Sequence, residues 1–332
     1  MRIIFAGTPA IATPTLQVLV SAGHDVCAVL TRADAPQGRI RKMTASPVAE
    51  CAAEHGIRVI KANRLDVEVT AKVRQLRADL GVIVAYGSIL GAELLKTPRL
   101  GWVNLHFSKL PAWRGAAPVQ RALMAGEREL GVSVFRLVSE LDAGDIVTKD
   151  GYTAAKFDTA DQVLTAMGAV GAGTVLDAVA VLERNPQAGT PQREGTSYAH
   201  KLVRADGRLD VRGSVTDFIN TWAGVTPEPG AYIDFGGEPL KIHEIAPLAG
   251  ASVSMAHSAA PGSAPGDSAA LAFEPPPQTT LSPGIFQILQ GRAVLQLSDG
   301  ALEIVTVQPA GKQRMAATAW LNGRGKKVDF NG

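Results

Sequence analysis

The first half of the chain alternates short apolar runs with segments in which apolar residues recur at helical spacing. This alternation is typical of a parallel β-sheet covered by helices. An apolar run such as 80–85 suits a strand that is buried on both faces, and Gly23 and Gly56 stand where helix C-caps are expected. We predict strands at Arg2–Ala6, Asp25–Thr31, Ile57–Ile60, Leu80–Ala85, Trp102–His106, Gly131–Leu137 and Ile146–Lys149, and helices at Pro9–Ser21, Pro47–His55 and Asp66–Arg77.

The second half of the chain changes in pattern and composition. An alanine-rich pattern from about 158 to 184 predicts one long helix, which ends before Pro186. Pro, Gly, Thr and Gln then prevail to about residue 207 and are typical of a linker. Short β-like runs bounded by turn residues follow, which favour a small β-barrel resembling an OB fold. These runs are Gly230–Phe235, Leu240–Ile245, Ala293–Leu297 and Leu302–Val307.

These patterns predict two domains. A doubly wound, Rossmann-like α/β domain is expected over 1–185, a linker over 186–207, and an OB-like β-barrel over 208–332. A chain of 332 residues is longer than one compact core usually holds, which agrees with this division. A stretch near 248–283 is rich in Ala, Ser, Pro and Gly with almost no charge, so we predict a loop inserted between two strands there.

Composition and charge narrow the function classes. Hydrophobic residues make up 46% and charged residues 19%, which indicates a globular protein. A net charge of +2 does not by itself indicate a nucleic-acid binder. Nucleic-acid binding would have to be inferred from local clusters of basic residues instead. Cys27 and Cys51 stand in no metal-ligand spacing, so we expect neither disulfides nor a metal site. We find no signal peptide or bilayer-spanning run and expect a soluble, cytoplasmic protein.

The turn after the first strand, Gly7-Thr8-Pro9, lies where a dinucleotide-binding protein carries its three glycines. Only one of those glycines is present here, and Pro9 removes one backbone donor from the phosphate nest. We therefore interpret this turn as a tight strand-to-helix connection rather than as a nucleotide site.

The segment 102–118 carries the most chemical information and reads WVNLHFSKLPAWRGAAP. Asn104 and His106 are two positions apart at the end of a predicted strand, so their side chains emerge on the same face. Polar groups at the carboxyl end of a parallel strand lie where open α/β sheets bind ligands. A Pro- and Gly-rich loop with Arg114 follows, which favours a functional role for the histidine. The acidic loop ELDAGD at 140–145 is by itself unremarkable in composition.

Together, the strings N-x-H, L-P-x-W-R-G-A-A-P and L-D-x-G-D resemble the methionyl-tRNA formyltransferase family, within the folate-dependent formyltransferases. Shorter matches at Phe5–Pro9, Ser46–Val48, Ala85–Gly87 and Gln308–Met315 extend the resemblance over nearly the whole chain. The resemblance implies transfer of a formyl group from 10-formyltetrahydrofolate to the amino group of methionyl-initiator-tRNA. Nothing in the sequence requires more than a monomer.

The resemblance also implies that Asn104, His106 and Asp142 form the catalytic set. Formyl transfer is attack by an amine on the formyl carbon, through a tetrahedral intermediate that carries an oxyanion. Asn104 would donate an amide N–H to that oxyanion, and protonated His106 would donate a second. Asp142 would orient His106, favour its charged form and act on the amine proton directly or through a water.

A folate pocket is implied by the same resemblance, because a flat pterin needs a few hydrogen bonds in a mostly apolar slot. The family commonly has leucine where Lys109 stands, and often a small residue where Phe107 stands. Lys109 could point to solvent or meet the glutamate tail of the folate. The expected folate-binding residues are Tyr86, Gly87, Leu90, Ser108, Lys109, Leu110 and Pro111.

Binding of tRNA requires Lys and Arg for phosphate contacts. The segment Arg32–Met43 is longer and more basic than a minimal connection, and the family has an insertion here that reaches the acceptor stem. The C-terminal domain is expected to add a weaker electrostatic face. The tRNA-binding candidates are Arg39, Arg41, Lys42, Arg114, Lys312 and Arg314, with Arg324, Lys326 and Lys327 near the terminus.

Other functions remain open at this point. A formyltransferase acting on a small amine, such as glycinamide ribonucleotide or an amino sugar nucleotide, would share the Asn, His and Asp. Such enzymes lack this basic insertion joined to a C-terminal β domain. A hybrid folate dehydrogenase would need a long aldehyde-oxidising domain, for which 332 residues leave no room. A non-catalytic RNA-binding module is disfavoured by the intact Asn104, His106 and Asp142.

Overall fold

The computed structural model describes residues 1–37, 41–248 and 282–331, and these form two compact units. The first unit comprises Met1–Asp206 and Asn220–Pro229. The second unit comprises Gly207–Ile219 and Gly230–Gly332. The loop predicted near 248–283 lies almost entirely outside the described residues.

The strands of the first unit agree closely with the apolar runs of the sequence. Every residue of the run at 80–84 is buried, as expected of a strand covered on both faces. The strands are β1 (Arg2–Gly7), β2 (Asp25–Thr31), β3 (Ala35–Gln37), β4 (Lys42–Thr44), β5 (Val59–Lys61), β6 (Leu80–Val84), β7 (Trp102–His106), β8 (Arg114–Gly115), β9 (Glu129–Arg136), β10 (Ile146–Thr153) and β11 (Tyr198–Ala199).

Seven of these strands form one sheet in the order β10-β9-β7-β6-β1-β2-β5. The strands from β7 to β5 are parallel to their neighbours, whereas β9 and β10 pair antiparallel at one edge. The chain order reverses between β1 and β6, which is where an open α/β sheet forms a ligand crevice at the carboxyl ends of its strands. The predicted doubly wound, Rossmann-like fold is confirmed.

Helices cover both faces of this sheet. One face packs against α1, α2, α5 and α6, and the other packs against α3 and α4. Gly23 and Gly56 follow α1 and α2 with φ of 82° and 67°, the left-handed conformation expected after a helix end. The helices are α1 (Thr13–Ser21), which follows a 3₁₀ turn at Ala10–Ala12, α2 (Pro47–Glu54), α3 (Val67–Gln75), α4 (Ala92–Leu95), α5 (Pro118–Met124) and α6 (Ala160–Arg184).

The helix α6 is the long helix predicted from the alanine-rich pattern. It begins with a capping box in which Thr159 and Gln162 satisfy each other's backbone N–H groups. Its most apolar 18-residue window has a mean hydropathy of 1.6, enough by length and composition to span a membrane, which we did not expect. Half of that window is buried in the fold, and side chains such as Met167 and Val175 belong to the core. Burial against the sheet therefore accounts for the apolar composition.

Residues 186–206, whose composition we interpreted as a linker, lie within the first unit. The guanidinium of Arg136 donates to the carbonyls of Ala188 at 2.8 Å and Pro186 at 2.5 Å. Further along, β11 pairs in parallel with β8, and a 3₁₀ turn at Arg204–Gly207 follows. Polar and turn-forming residues are used here for specific hydrogen bonds to the α/β domain, which composition alone does not reveal.

The second unit is an antiparallel sheet, which confirms the prediction of a separate β domain. Its strands lie in the order β12-β13-β16-β15-β14-β18, and β17 pairs with β16. The residues of α7 (Val215–Val225) are divided between the two units. The remaining elements are β12 (Tyr232–Phe235), β13 (Glu238–Ala246), β14 (Ile285–Leu289), β15 (Arg292–Gln296), β16 (Ala301–Gln308), β17 (Met315–Ala316), α8 (Ala317–Asn322) and β18 (Lys327–Asp329).

Candidate active site

The loops after β1 and β6 meet at the crevice of the parallel sheet. A Cβ on Gly7, at the end of β1, would lie 2.9 Å from the carbonyl oxygen of Val84, so only glycine fits there. The hydroxyl of Thr8 donates to the carbonyl of Tyr86 at 3.0 Å and joins the two loops. The Gly-Thr-Pro turn is thus packed tightly against the end of β6, in agreement with its interpretation as a strand-to-helix connection.

Two polar side chains emerge from one face of β7. Val103 and Leu105 pack into the cluster on the opposite face, so strand alternation places Asn104 and His106 together. Asn104 is half-buried, and its carboxamide makes no hydrogen bond within the described part of the chain. A half-buried amide at a strand end keeps its two N–H donors available to a ligand.

The ring of His106 is 5% exposed and is held from both of its nitrogens. Its Nε2 lies 2.8 Å from the carbonyl oxygen of Trp113. A carbonyl oxygen can only accept, so Nε2 carries a proton and donates it. Its Nδ1 faces Oδ2 of Asp142 at 3.8 Å, which is an electrostatic contact too long for a hydrogen bond.

Burial lowers the pKa of His106, and this effect outweighs the nearby Asp142 and the Trp113 carbonyl, which both raise it. The ring is therefore predominantly neutral at neutral pH, with its proton on Nε2. A neutral ring presents the Nδ1 lone pair to the Asp142 carboxylate. A proton at Nδ1 would be stabilised by that carboxylate. The approach of a further negative group would therefore favour protonation of His106 at Nδ1.

Asp142 lies in the loop between β9 and β10 and has a left-handed backbone, with φ of 49°. Its Oδ2 accepts a hydrogen bond from the backbone N–H of Gly115 at 2.8 Å. Two positions later, a Cβ on Gly144 would lie 1.8 Å from the carbonyl oxygen of Arg136, so the loop is pressed onto β9. This packing holds the Asp142 carboxylate beside His106.

Arg114 was predicted to contact tRNA, but its side chain points inward and is only 8% exposed. Its Nη2 and Nε donate to Oε1 of Gln192 at 2.8 and 3.1 Å, and its Nη1 lies 3.5 Å from Oε1 of Glu140. The amide nitrogen of Gln192 donates in turn to the carbonyls of Asp142 and Gly144, both at 2.8 Å. Arg114 thereby supports the acidic loop in this structure.

Two of the expected folate residues after β6, Tyr86 and Leu90, are buried in the core. Tyr86 is 2% exposed and donates its hydroxyl to the carbonyl of Ala62 at 2.7 Å, and burial raises its pKa to about 12. Leu90 is also buried, whereas the carbonyl of Gly87 accepts from the Arg32 guanidinium at 2.9 Å. Between them, Ile89 is 91% exposed and offers an apolar surface.

The expected folate residues after β7 form a tight turn. Ser108 is buried and donates its hydroxyl to the carbonyl of Ala112 at 2.6 Å, and Leu110 is buried next to the half-buried Pro111. Lys109 is exposed, and its aliphatic stem lies over Gly131, where a Cβ would come within 2.7 Å of the lysine Cγ. Tyr86, Leu90, Ser108 and Leu110 are thus buried, whereas Ile89 and Lys109 are the exposed side chains of the two loops.

The basic candidates other than Arg114 that the structure describes are exposed. Arg41 immediately precedes β4 and Lys42 is its first residue, and β4 pairs antiparallel with β3 as a hairpin. Arg39 lies outside the described residues. In the second unit, Lys312 and Arg314 are exposed, as are Lys326 and Lys327, while the Arg324 guanidinium stacks 4.2 Å from the ring centroid of Trp320.

The sequence reasoning missed Gln192 and Gly115 as parts of this site. Gly115 sits inside the recognised motif, so its backbone role could have been suspected. Gln192 had no local signal because its partners are about 50 residues away in the sequence.

Other features of the molecule do not enlarge the site. No group of three or more His, Cys, Asp and Glu residues suited to a metal occurs among the described residues. Burial raises the pKa of the thiols of Cys27 and Cys51, and both are free cysteines. A cavity of about 460 Å³ lies within the second unit, between Arg208, Arg212 and Phe330, and contains none of the predicted site residues.

Comparison with known proteins adds independent evidence. Residues 1–179 match the family described as formyl transferase, and residues 201–325 match the formyl transferase C-terminal domain. A methionyl-tRNA formyltransferase of Leifsonia xyli subsp. xyli is 45% identical over 325 residues, which cover 98% of each chain.

Two solved structures share the fold. The methionyl-tRNA formyltransferase from Clostridium thermocellum has a TM-score of 0.55 at 14% identity, covering 74% of this chain and 93% of that one. An N-formyltransferase from Helicobacter canadensis, in complex with folinic acid and dTDP-3-aminofucose, has a TM-score of 0.59 at 15% identity, covering 94% and 99%. Together with the family matches, these findings confirm the resemblance inferred from the motifs: this chain belongs to the formyltransferase family, among the methionyl-tRNA formyltransferases.

Proposed function

We propose that this chain transfers the formyl group of 10-formyltetrahydrofolate to the amino group of methionyl-initiator-tRNA. The observation that supports this most directly is the cluster at the end of β7. There the Asn104 carboxamide has no internal partner in the described chain and lies on the same strand face as His106, which Asp142 approaches. Both folate loops border the same crevice, and the folate acts as a co-substrate that supplies the formyl group.

The chemistry requires one bond to form and one to break. The amine nitrogen attacks the formyl carbon, and the tetrahedral intermediate collapses with cleavage of the bond to the folate nitrogen. The products are the formamide and tetrahydrofolate. Asn104 donates an N–H to the oxyanion, and the Asp142 carboxylate receives the amine proton directly or through a water. The proton received by Asp142 then passes to the departing folate nitrogen, so the step needs no other proton source.

The role of His106 follows from its two neighbours. Its Nε2 proton is engaged by Trp113, so a second donor to the oxyanion requires a proton on Nδ1. Burial opposes this proton in the free enzyme, whereas Asp142 favours it. We therefore assign His106 a charge that develops together with the oxyanion, as the amine proton received by Asp142 moves transiently to Nδ1, rather than one present beforehand. This is a change from the protonated resting form expected from the sequence.

For the tRNA, the exposed basic residues Arg41, Lys42, Lys312 and Arg314 are the proposed phosphate contacts. Such contacts position the nucleic acid without reading its bases. Arg39 stays in the proposal on sequence grounds alone. Arg114 is left out, because its guanidinium is buried and already engaged by Gln192 and Glu140.

We further propose that the enzyme works in the cytoplasm as a monomer, without a membrane partner. Both proposed substrates are polar, and all residues assigned to the reaction are supplied by a single chain. Light scattering on the purified protein tests the oligomeric state, and a mass near 34.7 kDa is the expected result. A mass of twice that value or more would contradict it.

The decisive experiment is a formylation assay of the purified protein with 10-formyltetrahydrofolate. The acceptors are initiator methionyl-tRNA, elongator methionyl-tRNA, free methionine, glycinamide ribonucleotide and an amino sugar nucleotide. Rapid transfer to the initiator tRNA alone is expected. Transfer to a small amine instead would keep the catalytic cluster and refute the tRNA assignment. Binding of tRNA with no transfer to any acceptor would favour the non-catalytic alternative.

A further inference from the structure

Gln192 connects the acidic loop to the buried arginine of the site. Its amide nitrogen donates to the carbonyls of Asp142 and Gly144, both at 2.8 Å. Its Oε1 accepts from two nitrogens of Arg114 at 2.8 and 3.1 Å. One half-buried carboxamide therefore uses all of its donors and its acceptor between two segments that are distant in the sequence.

The orientation of this carboxamide is fixed by its partners. Arg114 can only donate hydrogen bonds, and the two backbone carbonyls can only accept them. The Gln192 oxygen must therefore face the guanidinium, and its nitrogen must face the loop. A glutamate at this position would satisfy Arg114 but would set a carboxylate against two carbonyl oxygens.

Arg114 is itself held in place, so Gln192 has a rigid support. The Arg114 side chain is 8% exposed, and the Arg114 backbone N–H donates to the carbonyl of Ser197 at 2.9 Å. The next residue, Gly115, donates its backbone N–H to Oδ2 of Asp142. The strand β8 thus contacts Asp142 twice, once directly and once through Gln192.

We infer that Gln192 is a positioning residue for formyl transfer, which holds the left-handed backbone of Asp142 so that its carboxylate stays at Nδ1 of His106. Left-handed backbone, with φ of 49° here, is less favourable than right-handed backbone for a residue other than glycine, although Asp adopts it more readily than most, so restraint by neighbours stabilises it. The two hydrogen bonds from Gln192 to the loop supply that restraint. This inference rests on the proposed function of the same site.

The test compares Gln192→Glu with the wild-type chain in the formylation assay. The glutamate keeps the size of the side chain and its contact with Arg114 but removes both donors to the loop. Turnover is expected to fall roughly tenfold to a hundredfold, with KM for the tRNA and the folate nearly unchanged. Gln192→Met, which removes the donors without adding charge, should give a similar loss. Gln187→Glu, an exposed glutamine in the same segment, is the matched control and should leave turnover unchanged.

A double-mutant cycle separates positioning from a general loss of stability. In an Asp142→Asn background, Gln192→Glu should cost less than about twofold further turnover, because its effect passes through Asp142. Losses that multiply in the double variant would overturn the inference. Wild-type turnover by both Gln192 variants would overturn it as well.

Hydrogen exchange of the loop 140–145 provides a readout that does not depend on activity. Faster exchange in both Gln192 variants, with the exchange of α6 unchanged, is the expected result. If the wild-type chain formylates only a small amine, the proposed acceptor is wrong. The turnover of each variant relative to the wild-type chain is then measured with that amine. If it formylates no acceptor, the proposed function fails and the exchange data alone decide on Gln192: unchanged exchange would refute its role.

Discussion

Asn104 and His106 stand two positions apart on β7 but differ in what they already contact. His106 is enclosed by Trp113, Asp142 and an edge-on Phe135 ring 6.4 Å away. Asn104 is half-buried and has no side-chain hydrogen bond within the described chain. A group that binds only the reacting species contributes to the rate and little to folding, so the two residues should respond differently to replacement.

Replacement of Asn104 by alanine should reduce turnover by roughly a hundredfold to a thousandfold, the usual effect of losing one oxyanion donor. Since the carboxamide has no described partner to leave unpaired, the melting temperature should change little. Steady-state kinetics with methionyl-tRNA and a thermal melt of the same preparation check both parts. Near-normal turnover would remove Asn104 from the catalytic set.

Burial of His106 predicts a pH effect on stability. The pKa of the folded residue lies below the unfolded value of 6.5, so the unfolded chain binds more protons between the two values. The folded state is therefore destabilised as the pH falls below about 6.5. A His106→Gln variant lacks this contribution. We expect the wild-type advantage in free energy of unfolding over the variant to shrink between pH 7.5 and 5.5.

The measurement is urea unfolding followed by tryptophan fluorescence at each pH. A Trp320→Phe background confines the signal to Trp102, Trp113 and Trp222, all of which lie in the first unit. An advantage that instead grows as the pH falls would mean that the His106 pKa is raised on folding, contrary to the effect of burial.

At the scale of elements, the acidic loop between β9 and β10 is the part of the site with the least tolerance for change. Its glycine, Gly144, packs on backbone rather than on a side chain that could move aside. Interiors pack densely, so an added methyl group here forces the loop outward. The position of Asp142 therefore depends on a residue that carries no chemistry.

The variant Gly144→Ala should lower the free energy of unfolding by about 1–3 kcal/mol, because its Cβ would meet the Arg136 carbonyl. Turnover should fall roughly a hundredfold as Asp142 shifts from His106. Gly151→Ala in β10 is the matched control, since a Cβ there meets nothing within 4 Å. Unfolding curves and kinetics of both variants check this. Equal behaviour of the two variants would show that the loop is not constrained as described.

At the scale of the whole molecule, tRNA binding is a matter of charge distribution. The net charge is only +2, so attraction must come from local clusters such as the hairpin of β3 and β4. The double variant Arg41→Ala, Lys42→Ala should weaken tRNA binding and reduce the slope of log K against log salt by about 2, roughly one for each phosphate contact. Turnover at saturating tRNA should be preserved.

Filter binding at several salt concentrations measures this slope. The matched control is Lys96→Ala with Lys156→Ala, two exposed lysines of the same unit outside the proposed contacts. An unchanged slope in the hairpin variant, or an equal change in the control, would remove the hairpin from the tRNA interface.

Prediction from sequence succeeded where the signal was local. The strands at 25–31 and 102–106 were predicted to the residue, because apolar runs bounded by charged and turn residues mark them directly. It missed α5, α7, α8, β14 and β18, of which α8 and β18 are too short to show a clear periodicity. It also overlooked that α6 is long and apolar enough by composition to span a membrane, because the pattern alone does not distinguish a buried helix from a spanning one.

The sequence by itself determined the alternation of strands and helices in the first unit, its α/β fold and the shared face of Asn104 and His106, since residues two apart on a strand always point the same way. Only the tertiary structure decided the surroundings of those residues. It buried Arg114 and Tyr86, folded the 186–206 segment onto the catalytic unit, and brought Gln192 to Asp142 across 50 residues. The physical reason is that burial and hydrogen-bond partners depend on which distant segments share a space, and no local pattern of residues encodes that.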